Sequence, residues 1–176
     1  IARVDQLTGN VASIDVTLAE AGDIGRAMVT WSPGEMFNWT AIADFWPDRS
    51  ILCARLTDMP LALVQIDDDY LPLRAAPHDQ RAVYVSFLEV APPVRNRAWY
   101  SFAGLGAAML SFAFARSRQL GYHGRIGLHA IEPAREFYAK LGFLIGSRPG
   151  PNEYWESYLE LSPEAADRFV ENSSRS

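Results

Sequence analysis

The sequence predicts one α/β domain, a mixed β-sheet with helices on both faces, from three observations. Residues 51–66 hold two apolar segments around a proline-containing turn. Val83 to Ala91 is almost continuously apolar and is stopped by Pro92-Pro93. After it come, in order, a helix-periodic segment, a short β-like run, a second helical segment and a last β-like run. A strand–helix–strand order with neighbouring strands makes a right-handed crossover and a parallel pair, and the hairpin is antiparallel, so the sheet is mixed.

The first 50 residues place Trp31, Phe37, Trp39, Phe45 and Trp46 among Pro33, Gly34 and Pro47, which suggests short helices or a structured loop. Such a cluster either covers the core or walls a pocket for an amine or aryl acceptor. Ile51 to Leu56 and Leu61 to Ile66 are predicted as strands joined by a turn at Thr57-Asp58-Met59-Pro60. The acidic run Asp67-Asp68-Asp69 reads as a solvated turn, with attraction of an amine as the alternative. Val83 to Ala91, with hardly a polar position, is expected to be covered on both faces and central in its sheet.

Gly104 to Leu120 is the predicted long helix. Leu105, Met109, Phe112 and Leu120 recur near the helical period, Arg116 and Arg118 fall late where cations suit the dipole, and Gly121 closes it. Arg125 to His129 reads as a short strand, Glu132 to Leu141 as a helix with Pro133 in its first turn and Gly142 beyond its end, and Tyr154 to Leu161 as the last strand. The polar residues from Glu171 onward are expected to fray.

With 176 residues, 49% of them hydrophobic, the chain can bury one sizeable core and is short for two, so residues 1–176 are read as a single domain. No apolar run approaches the ~18 residues of a membrane span, and the N-terminus lacks the basic-then-apolar order of an export signal. The single cysteine, Cys53, sits in an apolar run as a small hydrophobe; it permits no internal disulfide and fits a reducing cytoplasm, the expected location. A formal net charge of -5 argues against nucleic-acid binding through bulk electrostatics and mildly favours cationic small substrates. No His, Cys or carboxylate cluster has metal-ligand spacing, and no Ser–His–acid or Cys–His pattern is present, so neither a metal nor an acyl-enzyme is expected.

The most informative feature is the strand Val83 to Ala91 leading through a short basic loop into Ala103-Gly104-Leu105-Gly106-Ala107. Two glycines at a helix start allow close backbone approach, and the first turn leaves N–H groups without intrahelical partners. The helix start therefore suits an anion such as a phosphate, with a plain tight strand-to-helix turn as the alternative.

Three segments, Leu88-Glu89-Val90-Ala91-Pro92, Ala103-Gly104-Leu105-Gly106-Ala107 and Ala134-Arg135-Glu136-Phe137-Tyr138-Ala139-Lys140-Leu141-Gly142-Phe143, resemble in order and spacing the GNAT superfamily of acyl-coenzyme A dependent N-acyltransferases. The resemblance spans roughly residues 83–143, and Ala91-Pro92 before Arg95-Asn96-Arg97, with Gly127-Leu128-His129 later, is similar to a bacterial subset of little-defined substrate. It implies a central sheet whose parallel pair splays, acetyl-CoA as co-substrate held by residues 83–143, and residues 1–50 on the acceptor side. The pyrophosphate would lie on backbone N–H groups from Ser101, Ala103, Gly104, Leu105, Gly106 and Ala107, and the pantetheine arm would pair with the main chain near Leu88 and Val90. Tyr138 would act as general acid for the departing thiolate. Three positions depart from the family pattern. Ser101 stands where Arg or Gln is usual, so charge on the pyrophosphate would come from Arg95 or Arg97; residues 96–100 lengthen the loop; and Ile131 replaces a frequent asparagine.

Direct attack needs an amine's lone pair, and deprotonating an alkylammonium of pKa near 10.4 at neutral pH costs roughly 4 to 5 kcal/mol. Glu89 is the only carboxylate between Val83 and Pro93. It is either the base or a buried carboxylate paired with an arginine or backbone donors; strict alternation puts it on the face of Phe87 and Val85, with Tyr84 and Ser86 on the other. His129, at a strand end, either relays a proton or is structural. The acceptor is a small amine, an amino acid derivative or a peptide N-terminus, and an edge strand near Tyr154 to Leu161 offers a homodimer surface. The rival readings are a non-catalytic acyl-CoA-binding or regulatory protein of the same fold, and an unrelated nucleotide-binding α/β protein using the same glycines.

Overall fold

The computed structural model describes residues 2–6, 11–32, 34, 36–70, 81–95, 102–149, 156–162 and 164–168. The chain forms two compact units, Ile1–Ile66 with Phe87–Leu110, and Asp67–Ser86 with Ser111–Ser176.

The first unit contains β1 (Ala2–Gln6), β2 (Val11–Leu18), α1 (Ala21–Thr30), α2 (Trp39–Phe45), β3 (Ser50–Leu56) and the greater part of β4 (Met59–Tyr70). It also holds the end of β5 (Ala82–Val90), α3 (Pro92–Arg95), β6 (Phe102–Ala103) and the first residues of α4 (Leu105–Gln119). Its strands run in the order β6-β1-β2-β3-β4, every pair antiparallel. The predicted hairpin is β3–β4, with Cys53 opposite Leu63 and Leu52 opposite Val64. Its turn is tighter than expected: Thr57 takes a left-handed φ of 56°, and Met59 and Pro60 belong to β4. A register shift between Ala54 and Arg55 accommodates the proline, which has no N–H for a regular ladder.

The N-terminal 50 residues hold more regular structure than short helices or a loop, namely two strands and α1 besides α2. α1 is anchored by charge. Asp23, buried, accepts the Glu20 N–H at 2.8 Å on Oδ2, Arg55 Nη2 at 2.6 Å on the same oxygen and Arg26 Nη2 at 2.9 Å on Oδ1. Cys53 is buried, and its thiol is pushed up to about 11, by burial first and then by the Asp23 carboxylate, so it stays protonated and inert at neutral pH.

The second unit contains the end of β4, the start of β5, the rest of α4, β7 (Ile126–Ile131), a 3-10 turn (Glu132–Ala134), α5 (Arg135–Lys140), β8 (Leu144–Pro149) and β9 (Glu156–Leu161). Its order is β5-β7-β9-β8. β5 and β7 are parallel, β7–β9 and β8–β9 antiparallel, so the sheet is mixed as predicted. β9 lies between β7 and β8 and is not the edge strand expected for a dimer contact, because the chain turns at Gly142 (φ 91°) into the unforeseen β8. The acidic run is likewise strand, the last part of β4. Both Nε and Nη2 of Arg116 donate to Asp68 Oδ2, at 3.1 and 2.7 Å, and Arg81 pairs with Asp69, so two of the three carboxylates meet arginines within the protein. The core of this unit includes Val83, Val85, Ile126, Leu128 and Leu159. Among the described residues no helix is long and apolar enough to cross a membrane.

Candidate functional site

In the first unit, Phe87 and Glu89 of β5 both reach the N-terminal aromatic segment. The Phe87 ring packs against Phe37, Trp39 and Trp46, with centroids 5.1, 6.4 and 5.7 Å away. Glu89, only 2% exposed, enters the same region. Its Oε1 accepts the Met36 N–H at 2.6 Å and its Oε2 accepts the Trp39 indole N–H at 2.9 Å. Both oxygens of the candidate base are thus engaged by the aromatic segment, the pairing with chain donors that a buried carboxylate requires. Leu88 and Val90 fall on the alternate positions and are half-buried.

At the start of α4, Gly104 has φ 81°, a left-handed conformation that disfavours a side chain. The helical ladder begins with the Ala108 N–H on the Gly104 carbonyl at 2.8 Å. The amides of Leu105 and Gly106 stand in the first turn, at the positive end of the dipole. Among the described residues, a Cβ built on Gly104 would meet nothing within 4 Å. Phe102–Ala103 forms β6, in which Ala103 pairs with Asp5 of β1, an element the sequence did not announce. Arg95 donates to the Gly34 carbonyl at 3.3 Å. Ser101 and Arg97 lie outside the described residues.

In the second unit, the β5–β7 ladder joins Val83 to Ile126, Tyr84 to Gly127 and Val85 to Leu128, while the strands themselves run on to Val90 and Ile131. Parallel register places Tyr84 and His129 on one face, and the Tyr84 hydroxyl lies 2.6 Å from His129 Nδ1. Opposite His129 in the β7–β9 ladder is Tyr158, whose ring centroid is 5.3 Å from the imidazole. Gly127 makes room for it: a Cβ there would come within 2.7 Å of the Tyr158 oxygen. Tyr158 donates to Glu160 Oε2 at 3.1 Å, Arg125 Nε lies 3.6 Å from Glu160 Oε1, and Tyr70 stacks on Tyr84 at 4.4 Å. The result is a tyrosine–histidine–carboxylate network across β5, β7 and β9.

Tyr138 lies on α5, 8% exposed, its ring edge-on to Phe137 and Phe143 at 5.0 and 5.5 Å. Burial pushes its phenol up to about 12. The 3-10 turn before α5 starts at Ile131 with no side-chain cap, as expected where an apolar residue replaces asparagine.

Glu89 is thereby joined to the N-terminal aromatics and His129 to Tyr84, while Tyr138 keeps aromatic company of its own. Sequence reasoning missed Tyr84, Tyr158 and Glu160. The signal available was Gly127-Leu128-His129, a glycine and histidine on one strand face, with tyrosine and glutamate alternating at Tyr158 and Glu160. Among the described residues no group of three or more His, Cys, Asp or Glu is arranged to hold a metal ion.

No protein-family model and no curated protein sequence matches this chain. Solved structures do. The Bacillus subtilis N-acetyltransferase YlbP, in complex with coenzyme A, superposes with a TM-score of 0.60 at 15% identity over 86% of this chain and 98% of that one. A Desulfovibrio desulfuricans protein placed in the GNAT acetyltransferase family gives 0.62 at 14% identity over 86% and 99%. Arabidopsis thaliana Naa50, in complex with the bisubstrate analogue CoA-Ac-MVNAL, gives 0.56 at 16% identity over 86% and 99%. With its antiparallel hairpin, parallel β5–β7 pair and glycine-opened α4, the chain has the fold of the GNAT acetyltransferases.

Proposed function

We propose that this chain is an N-acetyltransferase that moves an acetyl group from acetyl-CoA to a primary amine by direct attack, as a single functional domain over residues 1–176. The observation that carries the reading is the coincidence of the GNAT fold with a long helix opened by Gly104 in the left-handed region, directly after β6. The amides of Leu105 and Gly106, at a turn where a Cβ on Gly104 would meet no atom of the described residues within 4 Å, suit a diphosphate without any side-chain cation. Arg116 and Arg118, near the other end of α4, are engaged with Asp68 and Asp167. The main chain of Ala103 extends the diphosphate seat, and the main chain of Leu88 and Val90 offers the pantetheine arm strand-like pairing. Acetyl-CoA supplies an acyl group on a thioester with a good leaving group.

The chain's own residues then have two tasks. One is to take the ammonium proton, which we assign to His129. This role requires the tautomer in which Nδ1–H donates to the Tyr84 oxygen, 2.6 Å away, and Nε2 accepts the proton. The other is to meet charge on the departing sulfur, which we assign to Tyr138. A phenol at about 12 keeps its proton, and giving it outright to a thiolate of pKa near 8.5 would cost about 5 kcal/mol. Tyr138 therefore serves as a hydrogen-bond donor to the sulfur, and the proton that finally rests there comes from the attacking nitrogen.

Thiol release from acetyl-CoA, measured against an alkylamine, an arylalkylamine, a polyamine and a short peptide with a free N-terminus, tests the reading. Amine-dependent release with matching N-acetyl product is expected, and the His129→Gln substitution should cut kcat/KM about a hundredfold. Calorimetric preference for ATP or NAD over acetyl-CoA would end it. A second reading, a non-catalytic acyl-CoA binder, is favoured by the engagement of both Glu89 oxygens; it predicts acetyl-CoA binding with no release for any amine.

Gly104→Ala is expected to weaken acetyl-CoA by roughly tenfold or more in calorimetry, because a Cβ at φ 81° strains the turn by ~1–2 kcal/mol and stands where the diphosphate approaches. Gly104→Asn, better tolerated at that φ, should fold normally and still bind weakly. Unchanged affinity in both places the cofactor elsewhere.

A further inference from the structure

We infer that Glu89 is a positioning residue which, through the Met36 amide and the Trp39 indole, holds the aromatic segment 36–39 on β5 as a fixed acceptor wall, and is not the base. A carboxylate that is 2% exposed and accepts an N–H donor on each oxygen, at 2.6 and 2.9 Å, is held in place by the segment and shielded from solvent. The two donors are separated by Phe37 and Asn38, and the Phe37 ring meets Trp39 at 6.2 Å and Phe87 at 5.1 Å, so a single side chain fixes a segment whose two rings pack on Phe87 of β5.

The same segment is tied at further points. Gly34 is held by Arg95 at its carbonyl and lies close to Pro92, to whose Cβ an added Cβ would be 3.2 Å away. Asn38 caps α2 by accepting the Ala41 N–H at 3.0 Å, and the Trp39 N–H reaches Met28 Sδ at 3.3 Å. These contacts set the flanks of the segment, and Glu89, beside the Phe87 ring contacts, ties it to the strand by hydrogen bonds. Charge-assisted bonds to a buried carboxylate are the strong kind, and losing one leaves a buried polar group unmet.

The kinetic part of this inference rests on the acyltransferase reading; the structural part does not. In the ligand-free protein, Glu89→Gln should speed hydrogen exchange at the Met36 amide by roughly tenfold or more. The Ala91 amide, bonded to the Leu61 carbonyl at 2.8 Å, should stay within about threefold as the internal control for β5. Trp39→Phe, which removes only one donor, should act in the same direction on acceptor KM. For the panel amine turned over fastest, both variants should raise KM roughly tenfold with kcat within about threefold. Unchanged Met36 exchange, or equal acceleration at Ala91, overturns the inference. So does a fall in kcat of about a hundredfold in Glu89→Gln with KM unchanged and Trp39→Phe near wild type, which is the signature of a base. If no amine is acetylated, the function proposed above fails, and the ratio of Met36 to Ala91 exchange still decides the role of Glu89.

Discussion

Asp23→Ala is expected to lower the unfolding free energy by about 3 kcal/mol and to flatten its acid dependence, with urea titrations at several pH values as the measurement. The carboxylate is almost wholly buried, whereas its partners Arg55 and Arg26 are 20% and 48% exposed, so Arg55 carries most of the loss and the half-solvated Arg26 little. Removing Asp23 also strips the Glu20 amide of its acceptor at the start of α1, worth ~1 kcal/mol, and strands a largely covered guanidinium. Burial pushes the Asp23 carboxyl up, but the Glu20 amide, Arg55 and Arg26 together outweigh it and hold it below its ordinary 3.8. A carboxyl depressed in the folded state stabilises fully above that ordinary value, and the contribution fades as pH falls through the folded-state pKa. The wild type should therefore lose urea resistance below pH 3.8 more steeply than the variant. Equal slopes would show that the Asp23 network does not couple to folding.

Tyr138→Phe is expected to cut kcat about a hundredfold while leaving the dissociation constant of acetyl-CoA within about twofold. Phenylalanine keeps the edge-on contacts with Phe137 and Phe143 and removes only the hydroxyl. Because burial raises the phenol to about 12, its proton is retained throughout the working range, and this group should produce no alkaline fall in kcat near the 10 of an ordinary tyrosine. An alkaline limb near that value that vanishes in the variant would mean Tyr138 is solvated during turnover. Full activity in the variant would remove the residue from the reaction and shift thiolate stabilisation to backbone amides.

The parts legible in the sequence were those whose cause is local. The β3–β4 hairpin, the apolar β5, the long α4 with its left-handed glycines at both ends and the α5 segment follow from period, turn residues and dipole-compatible charges. What was missed has distant causes. α1 contains the poor helix formers Gly22 and Gly25, and its Asp23 is met by Arg55, far along the chain. Asp67-Asp68-Asp69 has poor strand propensity, and becomes strand where Arg116 and Arg81 face it. β8 carries Gly146 and Pro149 and takes its strand form in pairing with β9.

The same division runs through the candidate site. Sequence alone determined that a glycine opens the long helix, because a left-handed φ excludes most side chains, and that Glu89 and Phe87 share a face, because strand side chains alternate. It also determined that Cys53 is an inert apolar filler, since a lone thiol in an apolar run has no partner to activate it. Only the tertiary structure decided that Glu89 binds Met36 and Trp39, more than forty residues away, and that Tyr84 meets His129 across a parallel ladder. A hydrogen bond needs its partner within about 3 Å along a set direction, and the position of a distant partner follows from strand register and loop path, which no local pattern encodes.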